Sequence, residues 1–264
     1  MTYLDDLFGL SGHSAIVAGG AGAIGSVMSE ALLNAGANVI IWSRSDQSLS
    51  HVREKLMRAT NSSDRIFTYR VDTADEQQVA QALADGQSES GPADILINAV
   101  GGNMGKSDFI ETDMDVFSKI VELNLMAGLM IPTKVIAAHW IKHKIKGTII
   151  NLTSMASYNP LSGVWAYDAA KAAVLNLTTA AANEFAAHGI RVNAVAPGFF
   201  LGKQNRLLLV DQKSGELTDR GQAIIAHTPW GRFGDVAELA GVTLFLASAK
   251  ASGFVTGVSI PVDG

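Results

Sequence analysis

Ser14-Ala-Ile-Val-Ala-Gly-Gly-Ala-Gly-Ala-Ile-Gly25 is a short apolar run that stops at a cluster of glycines and passes into the periodic pattern Val27, Met28, Ala31, Leu32. Read by period, it is a strand, a tight loop and a helix. Glycines at such a turn let the backbone approach a pyrophosphate closely, and the helix start adds unpaired N–H groups and the positive end of its dipole. The stretch predicts a dinucleotide-binding turn; a tight turn without a ligand is the plainer alternative.

The same grammar repeats along the chain. Asn38–Trp42, Arg65–Val71, Ala93–Ile97, Gly147–Ile150, Ile190–Val195 and Val258–Val262 read as further strands. Helical patterns fill the gaps, among them Asp113–Lys146, with Phe117, Ile120, Val121, Leu125, Leu129 and Val135 as core candidates, Trp165–Ala187 and Asp235–Ala249. Strand and helix alternating six or seven times predict an α/β fold with a doubly wound, Rossmann-type parallel sheet and right-handed crossovers. No linker or repeat divides residues 1–264, so a single domain is expected. The long charge-mixed insertion at about 199–229, with Gly215 and Gly221 inside it, reads as a helical substrate lid.

Composition narrows the function. Nearly half of the 264 residues are hydrophobic and the net charge is −5 without long like-charge runs, which leaves no footprint for nucleic acid or an anionic membrane. No cysteine is present, excluding disulfides, cysteine-ligated zinc, iron–sulfur clusters and a cysteine nucleophile. The acidic N-terminus does not resemble a signal peptide, and the uncharged run Leu7–Ser29 is broken by glycines and a histidine. The expectation is a cytoplasmic protein. His139 and His143 share a helical face at metal-ligand spacing, but Lys142, Lys144 and Lys146 surround them without an acidic ligand, so no metal site is predicted.

Chemistry concentrates between Asn151 and Lys171. Ser154 follows the strand ending at Ile150, a turn with Pro160 and Gly163 comes next, and Tyr167 and Lys171 then stand four residues apart on one face of an alanine-rich helix. A free tyrosine titrates near ~10, far from neutral pH, where acid–base catalysis works poorly. A neighbouring ammonium is expected to lower that pKa, and a serine hydroxyl to hold a substrate oxygen beside the phenol. The plain alternative is a tyrosine packed under a solvated lysine.

With Ser154, Tyr167, Lys171 and the glycine loop together, the chain resembles the classical short-chain dehydrogenase/reductase family over essentially its whole length. The glycine loop departs from the family pattern at Ala18 and Ala23, and the Asn98-Ala-Val-Gly101 run at Ala99 and Val100. The resemblance implies Asn124, Ser154, Tyr167 and Lys171 as catalytic residues, Asn124 kinking its helix around a proton-relaying water. It implies cofactor contacts from Gly19, Gly22, Ile24, Gly25, Asp72, Asn98, Gly101, Tyr167, Lys171, Pro197 and Gly198. At the end of the second strand, where a carboxylate would accept bonds from the ribose 2′-OH, stand Ser43 and Arg44. They suit a 2′-phosphate and predict NADP(H), with NAD(H) the alternative. Asp72 is open to a second reading as a cap of the following helix, and Asn124 to one as a satisfied core polar group.

The predicted reaction interconverts a secondary alcohol and a ketone. Asn103, Met104, Met155, Tyr158, Asn159, Trp165, Phe199 and Phe200 are candidate pocket residues, with Lys203 or Arg206 facing a substrate carboxylate. The runs around Gly101-Gly-Asn103, Pro197–Leu201 and His227–Arg232 look similar to the branch acting on sugar acids, such as mannonate/fructuronate oxidoreductases. A 3-oxoacyl thioester reductase and a dinucleotide-binding regulator without turnover remain as alternatives. The helix Trp165–Phe185 is apolar nearly all round, which together with the resemblance implies a homo-oligomer, tetramer or dimer.

Overall fold

In the computed structural model, which describes residues 2–201, 209–211 and 215–264, each of the seven runs read as strands contributes one strand to a single parallel sheet. In chain order the elements are α1 (Tyr3–Phe8), β1 (Ser14–Ala18), α2 (Ala23–Asn34), β2 (Asn38–Ser43), α3 (Asp46–Thr60), β3 (Ile66–Arg70), α4 (Glu76–Ser90), β4 (Ile95–Asn98), α5 (Met114–Val121), α6 (Ile131–His143), β5 (Thr148–Leu152), α7 (Trp165–Phe185), β6 (Arg191–Pro197) and β7 (Ser259–Val262). The strand order is β3-β2-β1-β4-β5-β6-β7. Connections leave β1 and β4 toward opposite edges, opening a crevice between their carboxyl ends, where ligands of such sheets bind.

Alternation along the strands builds two cores. Ala15, Val17, Val39, Ile41, Ile95 and Ile97 join one layer with Leu32, Leu33, Leu56 and Leu246. Their neighbours Ile16, Ala18, Ile40, Trp42 and Leu96 join the other with Val79, Leu83, Ile136 and Trp140. Both faces are apolar, as a parallel sheet covered on two sides requires. Gly147 has no room for a side chain: a Cβ there would lie 2.5 Å from the Trp140 ring, whose N–H donates to the Ala93 carbonyl at 2.7 Å.

Three local expectations change. The N-cap of α4 is Asp75, accepting from the Gln77 and Gln78 N–H groups at 2.9 and 3.1 Å, while Asp72 closes a turn by accepting from Ala74 N–H at 3.1 Å. The single helix expected over Asp235–Ala249 is a tight turn at Val236–Leu239, a helix at Ala240–Ala247 and a further turn at Ala249–Ser252. Between α5 and α6 the chain widens into a π-helical stretch, Glu122–Met130, where Asn124 sits. Of the core candidates here, Ile120 and Leu129 are buried, whereas Phe117, Val121, Leu125 and Val135 are half-buried. The continuous helical run Met114–His143 is long and apolar enough to cross a membrane, but half of its apolar window is buried inside the fold, as in a layer helix.

Candidate active site

At the end of β1 the chain turns through Gly19, held at φ +80°, and its Cα rests against the Ala99–Val100 backbone, where a Cβ would come within 2.7 Å. Gly25 meets the same wall from the helix side, a Cβ there lying 2.4 Å from the Gly19 carbonyl oxygen. Gly22 is the N-cap of α2 and offers no side chain to its first N–H groups, so the mouth of the helix beside exposed Gly22 and half-buried Ile24 is bare backbone. A nicotinamide dinucleotide fits this arrangement: the cradle is one that a single methyl group would fill, and the helix end is open to a phosphate. Ser43 and exposed Arg44 stand at the end of the neighbouring β2, and Arg44 forms no ion pair among the described residues.

The predicted catalytic residues come together at the ends of β4 and β5. Lys171, 4% exposed, passes its Nζ under the sheet edge to donate to the Leu152 carbonyl at 2.8 Å. Asn124 is fully buried and clamps Gly102 from both sides, accepting from its N–H at 3.0 Å and donating to its carbonyl at 2.7 Å; a further bond reaches the Ile120 carbonyl at 2.9 Å. Gly101 lies between them. A Cβ at that position would be 2.7 Å from Asn124 Oδ1 and 3.2 Å from Lys171 Nζ. The Ser154 hydroxyl caps its own turn through Ala156 N–H at 3.1 Å, and Ser157 ties that turn to the helix by donating to the Lys171 carbonyl at 2.8 Å.

The electrostatics differ from the expectation in one respect. Burial pushes the Tyr167 phenol above its usual value, a hydrogen bond with Ser154 pulls it back, and the Asp168 carboxylate raises it. The Lys171 Nζ is 5.8 Å from the Tyr167 ring centroid, and burial lowers its own pKa to about 8. Desolvation of the phenol thus outweighs the ammonium in the protein alone, and Ser154, not Lys171, is the group seen lowering the tyrosine.

Other predicted residues divide by place. Asn98 is 1% exposed and its side chain turns into the sheet, donating to Thr133 Oγ1 and to Asn151 Oδ1, each at 2.9 Å; Asn151 in turn donates to Thr178 Oγ1 at 3.0 Å. This buried chain was missed, although asparagines ending two successive strands were its signal. Pro197 ends β6, and Gly198 packs on Asp263, where a Cβ would lie 2.7 Å from the Asp263 Cβ. Trp165, expected in the pocket, spends its indole N–H on the Ser107 carbonyl at 3.1 Å. Phe199 and Phe200 line a cavity of about 310 Å³ with Trp230, Arg232 and residues 261–264, a lining that does not include Tyr167 or Lys171. Asn103, Met104, Tyr158 and Asn159 are exposed, and Met155 is half-buried. Lys203 and Arg206 lie outside the described residues. Among the described residues no group of three or more acidic or histidine side chains could hold a metal ion.

Residues 13–209 match the model of the short chain dehydrogenase family. The 2-dehydro-3-deoxy-D-gluconate 5-dehydrogenase of Bacillus subtilis is 34% identical, with 100% of this chain and 98% of the relative covered. A candidate D-mannonate oxidoreductase of Haemophilus influenzae, crystallised with NAD, superposes with a TM-score of 0.88 at 31% identity over 100% of this chain and 97% of that one. A gluconate 5-dehydrogenase of Burkholderia cenocepacia, crystallised with NADP and tartrate, superposes with a TM-score of 0.86 at 30% identity over 99% and 98%. The chain belongs to the short-chain dehydrogenase family and is an NAD(P)-dependent oxidoreductase of the CH–OH/C=O class.

Proposed function

We propose that the protein interconverts a secondary alcohol and a ketone on a sugar acid or polyol, using NADP(H). The observation that carries the reading is the meeting of Asn124 and Lys171 at Gly101, with Lys171 Nζ 5.8 Å from the Tyr167 ring centroid. The bound nicotinamide supplies or accepts the hydride. Ser154 holds the substrate oxygen, and Tyr167 gives that oxygen its proton in reduction and removes it in oxidation. Lys171 holds the cofactor ribose, and its ammonium stabilises the phenolate left after proton transfer. Asn124, fixed in the π-helical stretch, keeps Gly101 and Gly102 against the lysine and connects it to solvent.

Gly19, Gly22, Ile24, Gly25 and Gly101 form the wall that receives the dinucleotide, with Asp72 toward the adenine, the backbone of Asn98 along its edge, and Pro197 and Gly198 toward the nicotinamide. Ser43 and Arg44, which forms no ion pair among the described residues, favour a 2′-phosphate, since no carboxylate stands at Ser43 to repel it. The substrate class is supported by relatives named for gluconate and 2-dehydro-3-deoxy-D-gluconate. Residues 199–229 are assigned to the substrate lid. Along the outer side of α7, exposed Ala169, Ala172 and Ala180 leave a small-residue face for a second subunit, and the proposed state is a cytoplasmic homo-oligomer.

The test is a screen of sugar acids, polyols and acyl thioesters against NADP(H) and NAD(H), read by nicotinamide absorbance. Tyr167→Phe is expected to abolish turnover and keep cofactor binding. Turnover retained by that variant, or turnover confined to acyl thioesters, contradicts the proposal; a clear preference for NAD overturns the cofactor assignment.

A further inference from the structure

The helix that carries Tyr167 and Lys171 begins without a cap of its own. Val164, the N-cap of α7, makes no side-chain bond to the first helical N–H groups, and Tyr167 is the third residue of the helix. An uncapped helix end frays, and a phenol in its first turn would move with it.

The loop that leaves β4 holds this end from outside. The Trp165 indole N–H donates to the Ser107 carbonyl at 3.1 Å, Ser107 N–H donates back to the Gly163 carbonyl at 3.1 Å, and the Phe109 ring meets the Trp165 ring edge-on at 5.3 Å. Val164 is thus gripped on both sides. Burial of Val164 and Ala166, 7% and 4% exposed, sets how deep the helix lies, but apolar contact has no direction and does not fix its rotation or its position along the axis. The paired hydrogen bonds do, and the edge-on ring, a favoured aromatic geometry, keeps the indole turned toward Ser107.

The other end of the loop is anchored on the same helix. Asn124 clamps Gly102 through bonds of 3.0 and 2.7 Å, and a Cβ at Gly101 would lie 3.2 Å from Lys171 Nζ. Residues 101–107 therefore bridge two points of α7, Trp165 through Ser107 and Lys171 through Gly101, and Tyr167 lies between them. From this closed ring of contacts we infer that Trp165 is a positioning residue: through Ser107 it fixes the start of α7, and with it the reach of the Tyr167 hydroxyl to the substrate oxygen. The inference rests on the reading of Tyr167 as the proton donor.

The test compares the full chain in wild type, Trp165→Phe, Phe109→Ala and Tyr167→Phe, each saturated with the nicotinamide cofactor, on the sugar acid or polyol that wild type turns over fastest. Trp165→Phe keeps a ring for Phe109 and loses the N–H. Phe109 is 71% exposed, so Phe109→Ala loosens the indole without touching the core. The expected result is kcat about ten-fold lower in Trp165→Phe and about three-fold lower in Phe109→Ala, with KM and cofactor affinity within about two-fold of wild type. The solvent deuterium isotope effect on kcat should rise in both, because proton transfer from a displaced phenol becomes the slow step. A merely structural role lowers the melting temperature and leaves kcat and the isotope effect at wild-type values; that outcome, or a loss carried by KM or by cofactor affinity, overturns the assignment. If Trp165→Phe does not fold, Phe109→Ala decides on the same readouts. Turnover retained by Tyr167→Phe removes the proton-donor reading and the inference with it, whereas an inactive Tyr167→Phe beside a Trp165→Phe with wild-type kcat and isotope effect overturns the inference alone.

Discussion

Lys171 stands beneath Tyr167, its Nζ 5.8 Å from the ring centroid and hydrogen-bonded at 2.8 Å to the Leu152 carbonyl. A strand carbonyl, not a carboxylate, holds the ammonium in place, and burial lowers its pKa from 10.5 to about 8. Between those two values the unfolded chain binds more protons than the folded one, so this group makes stability rise with pH there and imposes its full cost below about 8. Lys171→Met is expected to raise the stability of the cofactor-free protein at pH 7 by about 1–2 kcal/mol, the relieved desolvation exceeding the lost hydrogen bond. Turnover should fall by about a hundred-fold or more. Denaturant titration and steady-state rates check both, and a variant that is less stable contradicts the balance.

Ser154 is the group that draws the Tyr167 phenol downward against burial. Removing its hydroxyl leaves burial and Asp168 unopposed. In Ser154→Ala, the limb of kcat/KM for alcohol oxidation that requires phenolate should move to higher pH. A pH profile that falls in height without shifting would separate substrate positioning from tuning.

Gly101 has no space to give. In Gly101→Ala the new methyl group would meet Asn124 Oδ1 at 2.7 Å and Lys171 Nζ at 3.2 Å, so either the Gly102 clamp or the lysine must move. Losing the clamp in a buried site is expected to cost about 1–3 kcal/mol of stability and about ten-fold or more in kcat. Wild-type rates and melting in this variant would show that the three groups do not share one contact.

At the amino ends of the central strands β1 and β4, His13 Nδ1 lies 2.6 Å from Asp94 Oδ2, and that hydrogen bond raises the imidazole pKa above 6.5. The folded value exceeds the unfolded one, so the pair's contribution is fully present below about pH 6.5 and is lost as pH rises through the raised value. With the imidazole 43% exposed, solvent screening limits it to roughly 1 kcal/mol or less. His13→Asn should therefore destabilise more at pH 5.5 than at pH 9, as read by denaturant midpoints; an equal effect at both would place the pair's value in packing.

The strands, the glycine turn and the Tyr167–Lys171 face were legible because each is a local pattern: period two, a missing Cβ, a four-residue spacing on a helix. Asp72 and Asp75 show where local reading is ambiguous, since two acids three residues apart are equal candidates for a cap and only the helix's actual first turn chooses Asp75. Trp165 shows a different limit. An aromatic beside a catalytic helix looks like a pocket wall until its N–H is seen committed to Ser107 on another loop.

By itself the sequence determined that strands alternate with helices, that Gly19 and Gly25 must lack side chains, and that Tyr167 and Lys171 share a face, because backbone sterics and helical pitch act over a few residues. Tertiary structure decided that Asn124 and Lys171 meet at Gly101, that Asn98 turns inward to Asn151, and that burial governs the phenol more than its lysine neighbour does. Contacts between segments dozens of residues apart, and the desolvation that comes with them, exist only once the sheet has set β4 beside β5 and packed α7 against their ends.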